Sequence, residues 1–224
     1  MSKYKERYPW LRLINLYTGE LYKNRDAMDD MLPGWDLAFG EIMCAELDAA
    51  IKEAGVEDTF VVKQLKEKFG QLRVYHNQPA NSKIALIFRK YELISSHVCV
   101  RCGKVDVPML NAAWIRPMCK ECYTKDGDRS HEAYEQIASK DFLISDELIW
   151  ETYEGMNKAL GMVEYKKFVM NIAETVALIR DNWQKRVENG THIVENSELD
   201  PPKTKEEEIA RMERLRQMIE EDIG

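Results

Sequence analysis

The chain lacks the marks of several catalytic and membrane classes. No run is apolar for the roughly 20 positions a helix needs to cross a bilayer, so no membrane association is expected. The opening M-S-K-Y-K-E-R-Y-P-W is charged where a secretory signal requires an apolar stretch, which predicts a cytoplasmic protein. There is no G-x-S-x-G, no phosphate-binding G-x-x-x-x-G-K-[ST] and no dinucleotide fingerprint. Histidine is scarce, with 4 in the chain. His131-Glu132 opens like a helical zinc-protease motif, but the next turn offers Glu135 and no second histidine, so the motif fails. His76 and His192 lack a recognisable catalytic partner, and Asp29-Asp30 reads as polar surface. A basic excess is missing too. Lys and Arg number 32 against 39 Asp and Glu, a formal charge of −7, so any binding of nucleic acid must be local. Neither internal repeats nor extended low-complexity tracts occur.

What is present suits a folded protein. With 224 residues, 45% hydrophobic and 32% charged, the chain fits one large domain or two small ones with a packed core. Four of its 5 cysteines carry the most specific signal. Cys99 and Cys102 lie in C-V-R-C-G-K, Cys119 and Cys122 in C-K-E-C, with 16 residues between the pairs. Zinc takes four thiolates in a tetrahedron, and two Cys-x-x-Cys turns at this spacing complete the shell. In a reducing compartment such pairs bind metal or do redox work more often than they form structural disulfides. Neither pair sits in a βαβ pattern, so a structural Zn2+, one per chain, is the expectation. Gly103 lets the backbone turn sharply after the first pair, and Arg101, Lys104, Arg116 and Lys120 stand where they can soften the charge of the thiolates. A closed sulfur shell has no open position for water, which assigns the metal to scaffolding and not to catalysis. His97 reads as a neighbour of the site and Cys44, on an apolar helical stripe, as a small core residue. A zinc ribbon and a treble clef both fit; a helix opened by Cys119 and Cys122 and continuing past Tyr123 would favour the second.

Around this module the sequence predicts an α+β core. Residues 1–33 read as an irregular arm that packs its aromatics. A helix is expected over about 35–54, from Phe39, Ile42, Met43, Leu47, Ala50 and Ile51 at helical period, ended by Gly55. Residues 59–76 read as a β-hairpin turning near Lys68-Phe69-Gly70, with a helix as the competing reading of residues 60–68. Asn81 or Ser82 caps a second helix to about Ser95. Shorter helices are expected at 129–139 and 146–159, and a long one at 163–188, from Tyr165, Phe168, Val169, Ile172, Val176, Ile179, Trp183 and Val187. Three regions follow: a zinc-binding core with its arm, 1–127; a helical extension, 128–190; and a linker with an amphipathic helix, 191–224, open to docking, self-pairing or partner binding.

Lys63, Lys66, Lys68 and Arg73 interleave with Phe69 and Tyr75 on the hairpin, and residues 97–125 hold 5 Lys/Arg against 2 Asp/Glu. If these surfaces adjoin, Lys66, Lys68, Arg73 and Tyr75 are candidate anion or nucleic-acid ligands; the bland alternative is a solvated face plus charge balance at the thiolates.

The order Y-P-W-L, T-G-E, P-G-W-D-L-A-F-G, Q-L-K-E-K-F-G-Q-L-R-V-Y, C-V-R-C-G-K and W-I-R-P-M-C-K-E-C, over roughly residues 7–123, resembles a group of small bacteriophage and prophage proteins of uncharacterised function. The resemblance implies a virus-encoded accessory factor in the host cytoplasm and brings no reaction or catalytic residue with it. The leading expectation is a non-enzymatic zinc-binding protein that engages a host or viral macromolecule in transcription, replication or antiviral defence. The alternatives are direct nucleic-acid binding by the hairpin and zinc module, and an enzyme acting on a phosphorylated small molecule, which requires cations converging in a deep pocket.

Overall fold

The computed structural model describes residues 3–15, 17–125, 129–140, 142–154 and 160–192, with positions 209 and 213. Apart from positions 209 and 213, the expected terminal helix over 204–222 and most of its linker lie outside these residues. The described chain mixes helix with a small sheet. Among the described residues no helix is long and apolar enough to cross a membrane.

The N-terminal region departs from the expected irregular arm. It contributes strands β1 (Arg12–Ile14) and β2 (Leu21–Asp26), paired antiparallel. Leu11 and Leu13 are buried while Arg12 points the other way, its guanidinium donating to Glu57 O at 2.6 Å. A strand this short has no local signature; its partner is β3 (Val62–Lys68), joined in parallel at Leu13↔Val62. With β4 (Gln71–His76) the sheet order is β2-β1-β3-β4, and the expected hairpin is confirmed as an antiparallel β3–β4 pair. The aromatics of the arm do pack, with Tyr4, Tyr8 and Trp10 buried.

The first long helix starts earlier than its periodicity predicts. Pro33–Trp35 forms the opening turn, Asp36–Gly40 continues as a π-helical segment, and α1 (Glu41–Ala54) completes it. Pro33 suits the first turn, where its missing N–H would have no partner anyway. Gly55 ends α1 at φ 64°, its N–H reaching Ile51 O and Lys52 O. Ser82 caps α2 (Lys83–Ser95), its side chain accepting from Ala85 N. Helix α2 packs between α1 and the sheet: Tyr91 stacks on Phe39 at 5.2 Å, and Leu72 N in β4 donates to Ser95 Oγ at 2.8 Å. Cys44 is buried, as its stripe predicts, and burial pushes its thiol well above the ordinary range.

Beyond the cysteine segment come α4 (His131–Ile137), α5 (Asp146–Tyr153) and α6 (Met162–Glu188). Tyr165, Ile172, Thr175, Val176 and Ile179 are the buried face of α6. Its deepest polar contact is Lys90 of α2, whose ammonium meets Glu46 of α1, Asn171 Oδ1 at 2.7 Å and Thr175 Oγ1 at 3.0 Å. Three acceptors match three N–H donors, which makes this burial of a charge tolerable. Burial lowers the Lys90 pKa from its ordinary value, while Glu46 opposes the shift. Lys90→Ala is expected to cost about 2 kcal/mol, below the full penalty for breaking a buried pair because Glu46 keeps some contact with water. A lower denaturant midpoint at unchanged slope would register it.

Candidate metal centre

The two cysteine pairs come together by different local means. Cys99 and Cys102 sit on a tight turn in which Cys99 N donates to Lys104 O at 2.8 Å and Gly103 N to Cys99 O at 3.0 Å. A Val98↔Val105 bridge closes its base, and Gly103 takes φ 75°, a conformation that glycine adopts without strain. A short hairpin follows, β5 (Met109–Leu110) with β6 (Arg116–Pro117). Cys119 then precedes α3 (Lys120–Lys125), and Cys122 lies in its first turn, its N–H directed at Cys119 Sγ at 3.5 Å. Val100 N donates to Pro117 O at 3.0 Å and ties the turn to the hairpin.

The four Sγ atoms all lie within 4.8 Å of one another, with Cys102 and Cys119 at 3.6 Å. A disulfide needs about 2.05 Å. Sulfurs about 2.3 Å from one tetrahedral ion stand about 3.8 Å apart, so the donor set fits a zinc-sized cation. Cys99, Cys102 and Cys119 are buried and Cys122 is partly buried. The thiols shift one another apart. Burial opposes ionisation of Cys99, but hydrogen bonds from Cys102, Cys119 and Cys122 outweigh it and pull the pKa well down. Hydrogen bonding to Cys119, Cys122 and Cys99, then burial, pushes Cys102 far up; Cys122 is also raised, the bond from Cys102 lowering it but those to Cys119 and Cys99 and burial prevailing. A divalent cation bound among the sulfurs would offset the repulsion among four thiolates. His97 stands aside from the sulfurs, its Nδ1–H donating to Phe142 O at 2.9 Å.

Of the cations expected to offset the sulfurs, Arg101 and Arg116 are buried beside the module, Arg116 lying over the Trp114 ring at 4.4 Å. Lys120 is drawn to Glu135 at 2.8 Å. A further cation went unseen in the sequence: Arg186, near the end of α6, donates from Nη1 to Cys102 O at 2.9 Å. Arg180, two turns earlier, holds Asp106 at 2.7 Å, at a position of positive φ just beyond the cysteine turn. The long helix therefore grips the cysteine module at two points.

The hairpin candidates fall on one sheet face. The register Gln64↔Tyr75, Lys66↔Arg73, Lys68↔Gln71 places Lys66, Lys68, Arg73 and Tyr75 together. Arg73 is engaged, by Gln71 Oε1 at 2.6 Å and Glu92 Oε2 at 3.3 Å. Lys66 lies over the Tyr75 ring at 5.3 Å and Lys68 over Phe69 at 5.5 Å. The two hairpins adjoin: a Cβ on Gly70 would lie 2.5 Å from Met109 Sδ, and Trp114 Nε1 donates to Glu67 Oε2 at 3.1 Å. A cavity of about 730 Å³ between α1, α2 and α6 contains Lys83, Lys90 and Lys167, yet each is paired, with Glu53, Glu46 and Glu164. Its lysines are neutralised in place, which is unlike the converging cations that a phosphorylated substrate requires.

No protein-family model, curated protein or solved structure matches this chain. The site must stand on its own chemistry.

That chemistry includes one contact the sequence disguised. Pro33-Gly34 reads as punctuation, but Gly34 is wedged against the cysteine turn. Its N–H donates to Val100 O at 2.8 Å, and Trp35 Nε1 donates to Val98 O at 3.0 Å. A Cβ at Gly34 would lie 2.1 Å from Cys99 O. The signal available was a glycine where a helix start favours better helix formers, and it did not name the partner.

Proposed function

We propose that this chain is a non-enzymatic binding protein in which four cysteines hold one structural Zn2+. The observation that carries this reading is the closed set of four mutually close sulfurs, which leaves no position for water or substrate on the ion. The order of cysteine turn, hairpin and then a helix that begins at the second pair and continues past Tyr123 supports a treble clef over a zinc ribbon. The metal serves rigidity. It fixes a module to which the first long helix, both hairpins and α6 are fastened, and such a scaffold suits recognition of a host or viral macromolecule. A virus-encoded accessory factor working in the host cytoplasm is the setting that the motif order suggests.

Elemental analysis of reduced, purified protein tests the core of this reading. About one zinc per chain is expected, and protein carrying no transition metal would remove its foundation. Affinity purification from infected cells addresses the partner. Turnover of a nucleotide abolished by one side-chain change would replace the binding protein with an enzyme.

A further inference from the structure

Several surface cations of this acidic protein have a carboxylate partner. Lys3 meets Asp36, Lys52 Asp48, Lys83 Glu53, Lys120 Glu135, Lys167 Glu164 and Lys185 Asp181. Lys66 and Lys68 do not; among the described residues they have ring faces for neighbours, Tyr75 and Phe69. Glu67, between them in sequence, is occupied at both oxygens. Oε1 accepts from Gly70 N at 2.6 Å and Oε2 from Trp114 Nε1 at 3.1 Å. The carboxylate ties the two hairpins together instead of neutralising the lysines. The result is a local positive face on a chain of charge −7.

The turn of this hairpin adds an independent observation. Lys68 pairs with Gln71, so Phe69 and Gly70 form a two-residue loop, with φ of 53° and 77°. Such loops favour Asn-Gly, because the first position needs positive φ, which a bulky side chain adopts only with strain. Phe69 accepts that strain and recovers no burial for it, being 71% exposed. Folding alone gives no reason for a phenyl group there. Tyr75 is also exposed, at 46%, and Trp114 beside the tip at 37%. Cations without a carboxylate partner interleaved with exposed rings match the two needs of a strand whose bases are unstacked: phosphates to neutralise and bases to stack. A duplex hides its base faces, and an acidic peptide would use the lysines but not the rings.

We propose that this face binds single-stranded nucleic acid, with bases stacked on Tyr75 and Phe69, phosphates held by Lys66 and Lys68, and Trp114 flanking the tip. The inference rests on the zinc-stapled scaffold to hold the second hairpin in place and names the class of macromolecule recognised.

Fluorescence anisotropy on the full chain, with its zinc content measured in parallel, tests it. The probes are a labelled mixed-sequence single strand of about 15 nucleotides, the same sequence as a duplex, and a poly-glutamate peptide. The single strand is expected to bind best, and Lys66→Ala with Lys68→Ala to make the salt dependence shallower by about 1.4 in log–log slope. Phe69→Asn is expected to weaken binding about tenfold while leaving thermal stability unchanged or higher, which a structural role for the phenyl group would not allow. Equal binding of the duplex, preference for the peptide, or single-strand binding untouched by these substitutions would overturn the proposal. Zinc-loaded protein that ignores the strand sinks this inference alone; metal-free protein that binds it sinks the scaffold reading alone.

Discussion

Cys102→Ser is expected to lose the bound metal and to unfold the chain from the cysteine turn outward. Structural zinc contributes about 10–16 kcal/mol of apparent binding free energy in small zinc peptides, as large as the whole stability of a typical domain at about 5–15 kcal/mol. Nothing else in residues 97–125 approaches that. Its regular structure amounts to two strands of 2 residues and a helix of 6, each too short to stand alone. The loss should spread, because other elements are fastened to this turn. Arg186 bonds Cys102 O, Gly34 bonds Val100 O and the Trp35 indole bonds Val98 O. Hydrogen exchange should therefore accelerate at Cys99, Val100 and Gly34, and also at the end of α6, which carries no cysteine. A chelator should reproduce the pattern in the wild type, and acid should do so as well, since protons compete with the cation for sulfur. If Cys102→Ser kept its exchange protection across 97–125, the four sulfurs would not be a metal centre that holds the fold.

The parts of the fold written in local patterns were legible. Helical period gave α1, α2 and α6, Asn81 or Ser82 announced a cap, which the structure assigns to Ser82, and the turn near Lys68-Phe69-Gly70 announced the hairpin. The cysteine spacing named the four clustered sulfurs at once, because two Cys-x-x-Cys turns are a local geometry. What escaped was everything that depends on a distant partner. Strand β1 has 3 residues and exists through its pairing with β2 and Val62. Arg180 and Arg186 look like ordinary charges on an exposed helix face until the cysteine turn is placed beneath them, 74 and 84 residues away in sequence. Arg73 carries the same formal charge as its neighbours in the cationic motif, and only Glu92 on α2 distinguishes it as a structural ion pair. The contrast with Lys66 and Lys68 comes from packing that the motif does not encode.

Gly34→Ala is the second large effect, and it comes from a single methyl group. The added Cβ would stand 2.1 Å from Cys99 O, 2.5 Å from Val100 C and 2.7 Å from Val100 O. All three are backbone atoms. They cannot swing aside as a side chain would, because Cys99 N is bonded to Lys104 O, Val100 N to Pro117 O, and the Cys99 sulfur belongs to the four-sulfur cluster. The first helix must therefore lift off the cysteine turn, giving up the Gly34 N–H bond to Val100 O and the burial of Trp35. A cost of about 3–4 kcal/mol is expected, at or above the top of the usual range for overpacking. Gly55→Ala supplies the comparison. No atom lies within 4 Å of its added Cβ, so it reports the strain of positive φ alone, about 1 kcal/mol. Gly34→Ala should also lose zinc to a chelator faster than Gly55→Ala although neither substitution touches a cysteine. Equal denaturant midpoints for the two variants would mean that the glycine wedge neither holds the helix to the metal module nor protects the ion.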